Sequence, residues 1–341
     1  MYQVVYIQTI EDKDEHIYFI LDIVEQIKRS PKKQIAFNFK NCRRIGCVGA
    51  AALGAVANYI EKLQIEKIDK QKRELNNIFP NNNRTIFIIN SYLDKFEKES
   101  YWVRFDVDSM SHHVLTYLKK NNFLGHFLTE DGKKIYTNRR YIGFHIYPRD
   151  INEEQILEDL NNWLHSDKIQ ISEKLKETIL SKLYELYYNA YEHGILRMTL
   201  PIGVISCASF DNETKILTLV ILDMGNGIAY NVRNHLQDQN LSDVDAIKWA
   251  LQRGNSTKTD TPKDMPRGLG FALLKEFVTL NRGGFDIYSN SGHAYVDLSS
   301  GDYKIQKMNL DFTGTLVKVE ILCDDKFYKF KNEDVYFKEF K

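Results

Sequence analysis

The stretch LYELYYNAYEHG, residues 183–194, has the composition of a helix and carries three polar side chains in a line. Glu185, Asn189 and His193 follow one another every four residues, a spacing that stacks them on one side of a helix. The other side of the predicted helix, residues 172–193, carries an apolar stripe made of Leu175, Ile179, Leu183, Leu186 and Ala190. Gly194 is predicted to end this helix as a C-cap. A helix that packs on one side and presents a carboxylate, an amide and an imidazole on the other indicates a functional site.

The composition of the chain narrows the class of protein. It has 341 residues, enough for two domains, with 43% apolar and 27% charged residues and a formal net charge of zero. This balance does not indicate a nucleic-acid partner. The first ten residues lack the pattern of a secretion signal, and the longest weakly apolar run is too short to span a membrane. The four cysteines form no C-x-x-C pair and are expected to be free thiols, so we predict a cytoplasmic protein: Cys42, Cys47, Cys207 and Cys323.

Residues 1–147 are predicted to form a small α/β domain, because strand-like and helix-like patterns alternate along them. The predicted strands are residues 2–10, 33–42 and 84–90. The predicted helices are residues 15–29, 49–63 and 110–127.

Residues 148–325 have a different order of elements. Two predicted helices, 152–164 and 172–193, come first. The predicted strands that follow are residues 201–210, 215–223, 283–290, 294–298 and 314–322. Helices followed by mostly antiparallel strands predict an α+β sandwich with helices on one face of a sheet. Residues 326–341 are expected to be a C-terminal tail.

A buried strand ends at Asp223 and leads into a turn with glycines at positions 225 and 227. A carboxylate at a strand end can accept a hydrogen bond from an exocyclic amine at the bottom of a pocket. Gly225 and Gly227 would let the backbone approach a ligand closely, because they have no Cβ. This turn therefore predicts one wall of a binding site.

A second glycine turn precedes the amphipathic helix that follows Gly270. Gly268 and Gly270 lie at the start of this helix, where free N–H groups and the helix dipole favour phosphate. The polar stretch before it, about residues 229–266, holds some helix and then a loop rich in hydrogen-bond donors around Asn255–Lys258. Long loops of this kind are often lids over a ligand. Gly314 and Thr315 then precede the last strand.

The line of polar residues fits these glycine turns if the ligand is a nucleoside triphosphate. A triphosphate needs a hard cation with oxygen ligands, and the amide oxygen of Asn189 can be one of them. Glu185, one helical turn away, can orient or deprotonate an attacking hydroxyl. His193 either touches the phosphates or closes the helix.

Four segments together resemble the GHKL family, the nucleotide-binding domain shared by gyrase, the large heat-shock chaperone, histidine kinases and mismatch-repair ATPases. ELYYNAYEHG resembles its first motif, DMGNG its second, RGLGFALLK its third and TGT its last. The likeness covers residues 150–325 and is strongest to anti-sigma-factor serine kinases and histidine-kinase-like ATPases. It implies a Bergerat-type α/β sandwich with helices on one face of a mixed sheet, and it implies ATP and Mg²⁺ as cofactors.

The resemblance also assigns roles to residues. It implies Glu185 as the catalytic carboxylate, Asn189 as the magnesium ligand and Asp223 as the reader of adenine. The other implied nucleotide contacts are Gly225 and Gly227 on the adenine side, Gly268, Leu269 and Gly270 at the phosphates, and Thr315 in support of Asp223. Residues 254–267 would form the ATP lid. Lys258 and Arg267 are either phosphate contacts or solvated lid charges, and Thr315 either supports Asp223 or only begins a strand.

Residues 1–147 are similar to STAS domains, the anti-sigma antagonist fold, in the strand, loop and helix between about residues 35 and 63. That fold carries a phosphorylatable Ser or Thr at the helix start. Cys47 and Val48 stand there in this sequence, so phosphorylation at this position is not expected. His112 and His113 lack the acidic neighbour and the proline of histidine-kinase acceptor helices, so they are not expected to accept phosphate.

Together these patterns predict an ATP-binding regulator in which slow chemistry on the γ-phosphate controls contact with a regulatory protein partner. The acceptor would be water, as in an ATPase, or a partner Ser/Thr, as in a protein kinase. The alternative is a non-catalytic module in which ATP only gates assembly, for example in an antitoxin or defence system. By analogy with both folds, a homodimer is possible.

Overall fold

The N-terminal elements form a three-stranded parallel sheet flanked by helices. The structure is a computed structural model that describes residues 2–29, 34–78, 87–88, 91, 102–127, 129–130, 133–134, 143–148, 153–164, 169–195, 200, 202–255, 257 and 270–333. The first elements are β1 (Gln3–Ile10), α1 (Asp14–Arg29), β2 (Ile35–Ile45), α2 (Cys47–Ile78), β3 (Val103–Asp106), α3 (His112–Lys120) and α4 (Phe123–Phe127). The strand order is β1-β2-β3, with both pairs parallel. The predicted alternation of strands and helices is therefore present.

The third strand of this sheet differs from the predicted one. The predicted strand at residues 84–90 lies outside the described residues, apart from Phe87 and Ile88, which are helical. The strand beside β2 is β3, which has only four residues, VRFD, and a mixed burial pattern. So short a strand has too few residues for a period-two alternation to stand out in the sequence.

The two long helices of this part form for reasons that are visible in their sequences. α1 has acidic residues in its first turn and basic residues in its last, which complements the helix dipole. α2 begins where the carboxylate of Asp12 accepts hydrogen bonds from the backbone N–H groups of Cys47 and Val48, at 3.0 and 2.8 Å. A carboxylate in this position satisfies N–H groups that have no partner within the helix. Among the described helices, none is both long enough and apolar enough to cross a membrane.

The remaining elements include a larger, five-stranded sheet. A hairpin of two short strands comes first, β4 (Thr129–Glu130) and β5 (Lys133–Lys134). The elements that follow are β6 (Phe144–Tyr147), α5 (Glu153–Trp163), β7 (Gln170–Ile171), α6 (Glu173–Asn189), β8 (Val204–Asp211), β9 (Ile216–Asp223), α7 (Ile228–Leu236), α8 (Asp243–Leu251), α9 (Gly270–Asn281), β10 (Gly284–Asp297), β11 (Asp302–Leu322) and β12 (Phe327–Tyr328). The five-stranded sheet has the order β10-β11-β9-β8-β6. The segments predicted as strands 283–290 and 294–298 are one strand, β10.

The five-stranded sheet is antiparallel at every junction between its described strands, so the expectation of a mixed sheet is wrong. Its strands follow one another as hairpins or near neighbours, and an antiparallel pair needs only a short connection. Helices, sheets and an α+β order are thus present, as predicted for the second half.

Both faces of the five-stranded sheet are covered, which corrects the expectation of helices on one face. Alternate residues of β9 point to opposite sides: Leu219 and Ile221 join the core beneath α5, α6 and α9, whereas Val220 and Leu222 join the core that contains α1 and α2. Burial on both faces explains why β9 reads as an almost continuous apolar run, ILTLVILD. The N-terminal elements therefore act as the second layer of this sheet.

Two short strands that lie outside the predicted segment 148–325 pair with strands inside it. β6 falls within predicted domain 1–147, yet it pairs with β8 at the edge of the five-stranded sheet. β12 falls within the predicted tail 326–341, yet it pairs in parallel with β7. The described part of the tail, up to residue 333, is thus attached to the start of α6.

Candidate functional site

A cavity of about 220 Å³ lies between α6, the sheet and helices α7 and α8. Its apolar lining consists largely of branched side chains, among them Ile221, Ile228, Val232, Ile287 and Val317. Its polar lining includes Glu185, Asn189, His193, Asp223, Asn231 and Thr315. A mostly apolar cleft with a few convergent polar groups is the usual form of a small-molecule site.

The three polar residues of the opening sequence stretch all line this cavity. Glu185 and Asn189 lie on the last two turns of α6, and His193 lies in the π-helical turn that follows, Ala190–Ile195. Glu185 is at the outer rim, where its side chain is 37% exposed and lies 3.3 Å from the ammonium of Lys182. The four-residue spacing has therefore brought the carboxylate, the amide and the imidazole to one wall.

Asp223 forms the floor of the cavity. Its side chain is buried, and its Oδ1 accepts a hydrogen bond of 2.9 Å from the backbone N–H of Gly225. Thr315, its register partner on β11, donates to it through both its hydroxyl and its backbone N–H. Burial raises the pKa of Asp223 to about 7, and these hydrogen bonds and the charge of Lys28 oppose the rise. The carboxylate is thus poised between its neutral and charged forms near neutral pH.

Gly194 is not a C-cap. It lies inside the π-helical turn and is absent from the described glycines with positive φ. A Cβ at Gly194 would lie 2.5 Å from Cγ of Asp223, and one at Gly225 would lie 2.4 Å from the carbonyl oxygen of Gly194. The two glycines therefore let the end of the helix touch the turn after β9, which brings His193 next to the floor. Short π-helical turns occur frequently at functional sites.

The turn that contains Gly227 is fixed by two buried residues of β10. Gly227 has φ of +82°, a conformation that favours glycine, and a Cβ there would lie 2.4 Å from Oδ1 of Asn290. The hydroxyl of Ser289 accepts from the N–H of Ile228, and the amide oxygen of Asn290 accepts from the N–H of Ala229. These bonds satisfy the first N–H groups of α7, so the start of this helix is already occupied.

Ser289 of β10 also contacts the segment that contains Thr315. Ser289 donates its hydroxyl to the carbonyl oxygen of Gly314 at 2.8 Å, and its oxygen lies 3.4 Å from the hydroxyl of Thr315. A Cβ at Gly314 would lie 2.5 Å from the carbonyl oxygen of Asp223. One buried serine thus connects the glycine turn to the strand that supports Asp223.

The phosphate side of the expected site is described only in part. Lys258, Arg267, Gly268 and Leu269, and nearly all of the expected lid from 254 to 267, lie outside the described residues. Gly270 is the first residue of α9, and Asn255 and Thr257 line the cavity. Within the stretch from 229 to 266, the predicted helix is present as the larger part of α7 and the whole of α8.

Sequence reasoning missed several residues of the site. Asn231 lines the cavity and donates from its amide to the carbonyl oxygens of Gly227 and His193, at 2.9 and 3.2 Å. A signal was present, since Asn231 is a polar residue between the buried Ala229 and Val232 on a short amphipathic helix. No comparable signal marks Lys28, which acts on Asp223 from almost two hundred residues away.

The position where a STAS domain would carry a phosphorylatable hydroxyl is closed. Cys47 and Val48 are fully buried, and their N–H groups donate to the half-buried carboxylate of Asp12. Burial raises the pKa of Asp12, and the two N–H groups and Lys318 oppose this. His112 and His113 are exposed at the start of α3.

Comparison with known proteins gives no assignment: no protein-family model matches the chain, and no curated protein matches it. The functional proposal therefore rests on the cavity and its residues.

Proposed function

We propose that the cavity binds Mg-ATP, and that residues 148–325 are a GHKL-type nucleotide unit to which a STAS-like regulatory unit, residues 1–147, is fused. The observation that carries this proposal is the position of Asp223. Its carboxylate is buried, lies at the floor of a mostly apolar cleft and is held in place by Gly225 and Thr315. Burying such a group is costly unless it is paired, and a donor on the ligand supplies a further partner.

The cleft suits a purine. The exocyclic amine of adenine donates hydrogen bonds, and an ionised Asp223 accepts them. Ile221, Ile228 and Val232 offer apolar surface on which a flat ring can pack. Since the pKa of Asp223 is about 7, a bound amine would favour the charged form and lower that pKa.

Asn189 and Glu185 supply the groups for the phosphate end. Asn189 lines the same cavity, and its amide oxygen is of the ligand type that magnesium prefers. A bound magnesium ion would neutralise phosphate charge and hold the phosphates in place. Glu185, four residues earlier, would orient or deprotonate the hydroxyl that attacks the γ-phosphate.

Titration calorimetry of the full chain with ATP and magnesium tests this proposal. We expect Asp223→Asn to weaken binding at least about tenfold at pH 8, because a hydrogen bond to a charged group is lost. Asn189→Ala should weaken binding about tenfold with magnesium and have no effect when the metal is chelated with EDTA. The exposed Asp325→Asn is the matched control and should bind as the wild type does. Wild-type protein that takes up no ATP would contradict the proposal.

A non-catalytic role for ATP is the second candidate, and the ion pair between Glu185 and Lys182 favours it. In that arrangement Glu185 is half-exposed and forms a surface ion pair, so it takes no part in ATP hydrolysis. ATP binding alone would then control a contact with another protein. Labelled ATP with Glu185→Gln separates the two functions. Loss of label transfer to water or to a partner protein, with ATP affinity unchanged, supports catalysis. No transfer by the wild type supports the gate.

A further inference from the structure

The buried carboxylate of Asp223, at the floor of the cavity, is influenced by a lysine that lies on the opposite face of the sheet. Among the described groups that act on Asp223 there is one cation, Lys28 of α1, and the charge of Asp223 in turn favours the charged form of Lys28. α1 belongs to the layer opposite α6, beneath the other face of the sheet. The N-terminal part of the chain therefore reaches the floor of the cavity from behind.

Lys28 is held in place by groups that leave it little freedom. Its side chain is only 14% exposed, its ammonium lies 3.2 Å from Oε1 of Glu25, and it donates to the carbonyl oxygen of Thr313. Burial lowers the pKa of Lys28, whereas the charges of Glu25, Asp223 and Asp311 raise it. A lysine in this setting keeps its charge through its acidic neighbours.

Glu25 fixes the strand that supports Asp223. Its two carboxylate oxygens accept from the backbone N–H and the hydroxyl of Thr313, at 2.7 and 2.9 Å, and the residue is 4% exposed. Thr313 lies two residues before Thr315, which bonds to Asp223. One acid and one base, a single helical turn apart on α1, therefore set both the position and the electrostatic environment of the cavity floor.

We propose that Lys28 and Glu25 are positioning residues of the nucleotide site, and that α1 is the element through which the N-terminal unit controls nucleotide affinity. This inference rests on the proposed ATP function for its ligand. The contacts themselves do not depend on it. A movement of α1 would take the ammonium away from Asp223 and release Thr313, and both changes weaken the acceptor that reads the purine.

The control is electrostatic, so it has a characteristic dependence on pH. Asp223 binds the amine as a carboxylate, and affinity is therefore full above its pKa and falls as the pH drops through it. Removing the charge of Lys28 raises this pKa, which moves the midpoint to higher pH. Among the described residues, the charged and titratable groups around the site include Glu25, Lys28, Arg29 and Asp311 behind the floor, and Glu185, Tyr188 and His193 on the cavity wall.

The size of the effect follows from the ionised fraction. With a pKa of about 7, half of Asp223 is charged at pH 7. An increase of about one unit, the lower end for loss of an opposite charge, leaves about one tenth charged. Lys28→Met should thus weaken ATP binding about fivefold at pH 7 and converge with the wild type by pH 9. Lys70→Met, on the exposed part of α2, is the matched control.

Two measurements test the inference. Calorimetry with Mg-ATP between pH 6 and 9 should show the shifted midpoint for Lys28→Met and not for Lys70→Met. In ATP-free protein, the pH dependence of unfolding by urea should show the same shift, and Lys28→Met should not alter that dependence in the Asp223→Asn background. The second measurement needs no ligand, so it holds even if ATP does not bind. An equal loss of affinity at every pH, or an unshifted midpoint without ATP, overturns the inference.

Discussion

Replacing Asp223 with asparagine should stabilise the protein at alkaline pH while it removes the negative charge that accepts the purine amine. The pKa of Asp223 is about 7 in the folded protein against 3.8 for the free side chain. Between these values the folded state holds a proton that the unfolded state has lost. The free energy of unfolding therefore falls as the pH rises from about 4 to 7 and then stays level, as far as this group contributes.

The magnitude follows from the shift. A difference of about 3 pKa units at 1.36 kcal/mol per unit amounts to about 4 kcal/mol at most, well above pH 7. The amide of Asp223→Asn carries no charge and keeps an oxygen that can accept from Gly225. We expect the variant to be more stable than the wild type at pH 8.5, by up to that amount, and about equal to it at pH 4.5.

Urea unfolding followed by circular dichroism at pH 4.5, 6, 7 and 8.5 measures this difference. Asp325→Asn removes a carboxylate from an exposed bend and should give a difference that changes little with pH. A variant of Asp223 that is no more stable than the wild type at pH 8.5 would refute the reasoning that burial dominates this carboxylate.

Three further substitutions test the packing around the site. Asp12→Ala should destabilise the protein by about 2 kcal/mol, because two buried N–H groups at the start of α2 lose their acceptor, and thermal unfolding measures the loss. Tyr187→Phe removes a buried hydroxyl that lies 2.7 Å from a serine hydroxyl and should cost about 1 kcal/mol in urea unfolding. Gly194→Ala should cost about 2 kcal/mol and weaken ATP binding, because its Cβ would overlap Asp223. Gly284→Ala is its control, since the new Cβ would meet only a flexible glutamate side chain, and equal losses in both variants would count against the contact.

Local patterns predicted the parts of the site that lie within one element. Glu185, Asn189 and His193 could be placed on one wall because helical spacing alone determines which side chains share a face. Asp223 could be placed at a strand end because β9 is a long apolar run that stops at a carboxylate. The roles of these residues in nucleotide chemistry remain proposals.

Contacts between distant parts of the chain could not be predicted in this way. Lys28 and Thr313 are 285 residues apart, and neither segment contains a pattern that refers to the other. Gly194 looks like a helix cap in the sequence, but its reason for being glycine is a carboxylate 29 positions later. The second covered face of the sheet was missed because a buried strand has the same apolar run whichever elements cover it.

The sheet with two covered faces has a consequence for how this chain can be divided. A fragment cut at residue 148 would lose its edge strand and lay bare the face on which Val220 and Leu222 now pack. Such a fragment would expose an apolar sheet face to solvent and would be prone to self-association. The two parts of the chain are therefore not independent modules. Each covers apolar surface of the other, so the protein should be expressed as one full-length chain.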